Sequence, residues 1–97
     1  MKSLEEIRVL LRKHNPLVEE KYGVSIMGVF GSYTRGQQKP GSDLDVLVEV
    51  LRPISLLELV GAEIYLSEQL GLKVDLVPNR DVRKELRDSV NAETVAI

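Results

Sequence analysis

The sequence predicts an α/β domain in which short strands alternate with amphipathic helices, and three observations carry that prediction. The apolar, β-branched runs "VSIMGVF", "DLDVLVEV" and "KVDLV" have the length and composition of strands. The stretches around them repeat apolar residues at helical spacing. Two of those stretches open with S-x-x-E, the capping-box signature of a helix N-terminus. Such alternation layers helices on a sheet, here about three strands flanked by about four to five helices.

The first helix is read from "SLEEIRVLLRKH", where Ser3 and Glu6 form the capping box and Leu4, Ile7, Leu10 and Leu11 share one face. Pro16 is expected to end it near Asn15, because a residue before proline is pushed out of the helical region. Asn15 then caps a short second helix with Pro16 at its first position and Gly23 beyond its end. His14 is a polar residue near the first helix's end, where positive charge is mildly favourable. "VSIMGVF" follows as a largely buried strand that Gly31 stops, and "SYTRGQQ" starts a helical turn with Ser32 near its beginning. In "DLDVLVEV" the period of two puts Leu44, Val46, Val48 and Val50 on one face, and Asp43, Asp45, Leu47 and Glu49 on the other. Ser55 and Glu58 open the next helix and Gly71 closes it. "KVDLV" is a strand stopped by Pro78, and Val82, Leu86 and Val90 mark a last helix. The tail "ETVAI" fits either a fraying helix or an extended docking segment.

With 97 residues, the chain is expected to form one domain over 1–97. It has 43% hydrophobic and 29% charged residues, the balance of an ordinary globule, and few aromatics. The absence of cysteine excludes disulfides, thiolate metal sites and cysteine nucleophiles, and a single histidine excludes a multi-histidine zinc site. No apolar stretch approaches the ~20 residues that span a bilayer, and "MKSLEEIRVLLRK" is too charged for a secretory segment. A cytoplasmic protein without membrane association is expected. A net charge of −2, with no Lys/Arg run, gives no footprint for direct nucleic-acid binding.

The chemistry concentrates in "GVFGSYTRGQQKPGSDLDVLVEV". Gly31 and Gly36 have P-loop glycine spacing, but Gln37 and Gln38 stand where Lys and Ser/Thr are needed. A dinucleotide fingerprint fails on the glycine spacing. A calcium loop starting at Asp43 and Asp45 fails because Leu47 and Val48 follow in place of oxygen ligands and glycine. A different arrangement keeps every residue. Aspartates two apart on a strand share a face, with side-chain roots about 6–7 Å apart, so Asp43 and Asp45 can converge on one hard cation. Magnesium takes few protein carboxylates and fills its shell with water and phosphate. Gly31 and Ser32 supply the complement: backbone open to close approach, free N–H groups and a hydroxyl. Arg35 can neutralise further phosphate charge, its direction being unset by sequence. Asp75, among valines and leucines in "KVDLV", is a third costly carboxylate that a neighbouring strand can aim at the pair. Taken singly, each acid has an ordinary explanation: a turn residue at 43, an edge carboxylate at 45, and pairing with Lys73 or an arginine of the last helix at 75. Together with the glycine–serine step they point to a metal–phosphate site.

"GSYTRG", a five-residue loop and then "SDLDVLVEV", with the later Asp75, resembles the signature of the DNA polymerase β-type nucleotidyltransferases, and in particular their minimal branch, the MNT or MntA-type antitoxins. The resemblance covers about half the chain, from the first strand through "KVDLV". Thr34 departs from the small residue, most often alanine, usual at its position, which crowds the turn without removing a ligand. The resemblance implies a nucleotidyltransferase fold with a small mixed sheet. Gly31 and Ser32 would hold the β- and γ-phosphates of a nucleoside triphosphate, with Arg35 nearby. Asp43, Asp45 and Asp75 would be both catalytic residues and ligands of Mg²⁺, two ions in such enzymes. The implied reaction transfers AMP from ATP to a hydroxyl, a tyrosine of a HEPN-domain toxin encoded nearby, which silences it. A chain this small has no room for an acceptor-binding domain, so the acceptor is expected on another chain. The competing readings are an antitoxin that neutralises its partner by contact alone and a small-molecule nucleotidyltransferase.

Overall fold

The computed structural model describes residues 2–97. Helix α1 (Leu4–Tyr22) leads into β1 (Val24–Phe30), a 3-10 turn over Gly31–Tyr33, and β2 (Leu44–Val50). Helix α2 (Leu56–Leu70), β3 (Val74–Pro78), a second 3-10 turn (Asn79–Asp81), α3 (Lys84–Glu93) and the two-residue β4 (Val95–Ala96) complete it. The sheet order is β3-β2-β1-β4. β2 runs antiparallel to β1 and parallel to β3, so the sheet is mixed, and β4 adds an antiparallel edge on β1. Among the described residues, three α-helices and two 3-10 turns thus accompany four strands, the fourth built from the tail that the sequence left open.

Both capping boxes form: Ser3 accepts from the Glu6 N–H, Ser55 from the Glu58 N–H, and each glutamate returns the bond. Ile7, Leu11 and Val18 of α1 and Ala62, Leu66 and Leu70 of α2 are buried against Val24, Ile26, Leu44, Val46, Val48, Val74 and Leu76 of the sheet. The apolar face of β2 is therefore the one its alternation specifies, and Leu47 on the opposite face is also buried.

The expected break at Pro16 does not occur; α1 runs through it as one helix. The proline removes one intrahelical bond, but it lies on the exposed side, where water can take the freed carbonyl. Leu11 and Val18, buried on either side of it, hold the helix to the sheet. Asn15 is consequently not a cap. Its Oδ1 accepts the Ile26 N–H at 2.8 Å, beside a bulge in β1 where Met27 is an extra residue and the pairing jumps from Ile26–Val48 to Gly28–Leu47. His14 likewise sits mid-helix, with its Nδ1 2.9 Å from the Tyr65 hydroxyl of α2. Asn15→Ala is expected to cost about 1–3 kcal/mol, the penalty for stranding a partly buried donor, measured as a fall in the urea midpoint at unchanged slope.

The bulge has a geometric effect. It keeps Val24, Ile26 and Val29 all facing the core while bending the strand end. Phe30 then pairs with Asp45, which delivers Gly31 to the acidic face of β2. Gly28 sits where β4 approaches, and a Cβ there would lie 2.5 Å from the Val95 carbonyl oxygen.

Candidate active site

β2 is a central strand, and its entrance brings the candidate residues together. Asp45 pairs with Phe30 on one side and with Asp75 on the other. Neighbouring strands stand about 4.8 Å apart, and paired residues share a face. Asp45 and Asp75 therefore project side by side from the face opposite the main core, since Leu44, Val46, Val74 and Leu76 are buried in that core. Asp43 lies one step ahead of β2, where Leu44 N–H donates to the Lys73 carbonyl at 2.8 Å.

Gly31 closes the other side. It is buried with φ +82°, and a Cβ would collide with the Asp45 carboxylate. Only glycine allows the turn to lie directly on that acid. The Gly31 carbonyl accepts from the N–H groups of Thr34 and Arg35 at 3.1 and 3.3 Å. The Thr34 hydroxyl also donates to it, at 2.8 Å. That bond is the physical use of the threonine: it ties the turn down rather than crowding it. Tyr33, buried, anchors the turn in the core, and Ser32 is half-buried.

The electrostatics are strained in one direction. Burial, first, and then the charges of Asp75 and Asp43 push the Asp45 carboxyl above the usual carboxylate range; Arg35 opposes this and Glu93 adds to it. Asp43 has partial relief in Lys73, 3.7 Å away. Glu63 of α2 accepts the Leu76 N–H at 2.8 Å, outside the ladder of edge strand β3. Burial, and a hydrogen bond to Asp75 that favours its protonated form, push the Glu63 carboxyl up; Lys73 and the Leu76 N–H pull against this. Arg35, whose direction sequence did not set, donates to Glu93 Oε1 at 2.6 Å and to Gln37 at 3.1 Å. Glu93 Oε1 also accepts the Gly31 N–H at 2.8 Å.

The structure thus brings Asp43 and Asp75 beside Asp45, sets Asp45 against the Gly31 turn, and adds Glu63 next to Asp75 and Glu93 on the Gly31 N–H. Among the described residues no three acids or histidines form a ready-made metal cage. Sequence reasoning missed Glu63 and Glu93 because both lie on helices, in patterns indistinguishable from a solvated face.

A family model for the nucleotidyltransferase domain matches residues 11–97, which include all four strands and the whole acidic face. By class the protein is a nucleotidyltransferase. A Methanocaldococcus jannaschii relative, assigned as a protein adenylyltransferase, is 43% identical over the full length of both chains. The protein adenylyltransferase MntA of Thermococcus cleftensis is 41% identical over 100% of this chain and 98% of its own. A solved structure assigned as a minimal nucleotidyltransferase superposes with a TM-score of 0.82 at 31% identity, covering 99% of this chain and 97% of the other. A toxin-antitoxin structure with AMP-PNP gives 0.69 at 25% identity, covering 98% and 72%. The chain belongs to this nucleotidyltransferase family, in its minimal, MntA-type branch of protein adenylyltransferases. Among the described residues no helix is long and apolar enough to cross a membrane.

Proposed function

We propose that this chain transfers AMP from ATP to a hydroxyl, a tyrosine side chain, of a HEPN-type toxin, and serves as its antitoxin. The observation that carries the reading is the paired Asp45 and Asp75 set against a glycine turn that only a missing Cβ permits. The similarity to an MntA adenylyltransferase and to a toxin-antitoxin structure with AMP-PNP supports the substrate and the partner class.

The acids fit magnesium held jointly with phosphate. Asp45 lies in a field of like charge from Asp75 and Asp43 that a cation would relieve, and magnesium needs only one or two carboxylates when phosphate and water complete its shell. Asp43, Asp45 and Asp75 would hold it; when bound, it stabilises charge on the attacking and leaving oxygens. Gly31 N–H, Ser32 and Arg35 orient the triphosphate tail. β3 is an edge strand and Asp75 is exposed on it, so an acceptor hydroxyl on a second protein can reach Asp75. Asp75 accepts the hydroxyl proton, the oxygen bonds to the α-phosphorus, and the bond from that phosphorus to the oxygen bridging to the β-phosphate breaks to release pyrophosphate.

The test is incubation with magnesium, α-labelled ATP and a HEPN-type toxin encoded beside this chain. Label is expected on a toxin tyrosine. Toxin inhibition with no label on any chain would favour neutralisation by contact. Chelating magnesium is expected to weaken ATP binding at least about tenfold, as metal-bridged phosphates require; calorimetry giving unchanged affinity would remove the metal from the site.

A further inference from the structure

Helix α3 is loosely held. None of its residues is buried, and all but the partly buried Val90 and Glu93 are exposed. Its last residue nevertheless reaches into the turn, where Glu93 Oε1 takes the Gly31 N–H and the Arg35 guanidinium. A carboxylate and a phosphate oxygen make the same demand on such donors, because each is an anionic acceptor of charge-assisted hydrogen bonds. The single Gly31 N–H cannot serve both at once, and Glu93 holds the Arg35 Nη1 against itself as well. Beyond Glu93 the chain is strapped along the molecule: Val95 and Ala96 pair with Val29 and Gly28. The Ala96 carbonyl accepts from Arg8 at 2.9 Å, and the Ile97 carbonyl from Arg12 at 2.7 Å.

We propose that Glu93 is a tethered competitor for the phosphate donors, so that triphosphate binding evicts its carboxylate from Gly31 and Arg35 and loosens the strap of residues 94–97 from β1. The inference rests on the nucleotide-site reading above and adds an internal control to it. Glu93 pairs with Arg35 and, as an anion itself, holds the turn in an anion-binding shape. On binding, the arm is free to move at low cost, since α3 has no buried side chain to extract and β4 contributes two residues to the sheet. Glu93 also adds negative charge around Asp45, so its departure eases the field there.

The test is calorimetric titration of the full chain with ATP and magnesium. Glu93→Gln is expected to bind ATP roughly five- to tenfold more tightly than wild type, the scale of losing one charged hydrogen-bonded rival. Arg8→Ala, remote from the turn, releases the Ala96 carbonyl; it is expected to tighten ATP binding by a smaller factor in wild type and not at all in the Glu93→Gln background. Amide exchange over 94–97 is expected to speed up on ATP saturation. Unchanged or weaker binding by Glu93→Gln, where wild type binds, overturns this inference alone and makes Glu93 an orienting partner of Arg35. Slower exchange in the strap overturns it as well. Failure of wild type and variant alike to bind ATP overturns the nucleotide reading and this inference with it.

Discussion

Asp43→Asn combined with Asp45→Asn is expected to reduce AMP transfer by at least about 10³-fold, because metal stabilisation of the transferring phosphate is worth several kcal/mol and each 1.36 kcal/mol is about tenfold in rate. The same change is expected to stabilise the fold at neutral pH. Burial and the neighbouring acids raise the Asp45 carboxyl above its ordinary value, so ionising it costs more in the folded state than in the unfolded chain. Stability from this group is present at low pH and is lost as pH rises through the raised value. Asp45→Asn removes that loss, so its Tm should exceed wild type at pH 7 and converge with it in acid, where Asp45 is protonated in both states. Adding magnesium should raise wild-type Tm and leave the double variant unmoved. A double variant that retains full transfer, or that is destabilised at pH 7, would remove the acidic face from the mechanism.

Gly31→Ala carries the second large effect. An L side chain at φ +82° is strained by about 1–3 kcal/mol, and its Cβ meets the Asp45 carboxylate. ATP affinity is expected to fall by about 10²-fold, equivalent to about 2.7 kcal/mol, since the turn must retreat from the acids to make room. Gly36→Ala separates the causes: φ there is +69°, but nothing lies within 4 Å of a Cβ. It should show the backbone strain in urea unfolding and little change in ATP affinity. Equal losses of affinity in the two variants would mean that contact with Asp45 is irrelevant to binding.

Much of the fold was legible because local and tertiary demands agree. Ser3–Glu6 and Ser55–Glu58 cap the helices that they announce, and the alternation in "DLDVLVEV" sorts core from acid as built. Legibility failed where a distant contact overrode a local rule. Pro16 reads as a stop, yet the apolar stripe Ile7, Leu11, Val18 passes through it, and burial outweighs one lost hydrogen bond. Asn15 reads as a cap but is claimed by the Ile26 N–H, a partner set by the bulge. The tail becomes β4 because Gly28 leaves room for it, a fact about the other strand. Within the candidate site, the aspartates and the glycine–serine step stood out as costly residues in apolar surroundings. Glu63 and Glu93 were silent, since a glutamate on an exposed helix face costs nothing until the fold shows what it reaches.

Met27 separates two design problems within β1. Without it, the run Val24, Ser25, Ile26, Gly28, Val29, Phe30 would alternate in perfect phase, and its partners on β2 would be unchanged. A single-codon deletion would therefore be almost invisible to the hydrophobic interior, and would act instead on curvature, straightening the ribbon that aims residue 31. Foldability and aim are written in different letters of the same strand, which lets either one drift while the other is kept.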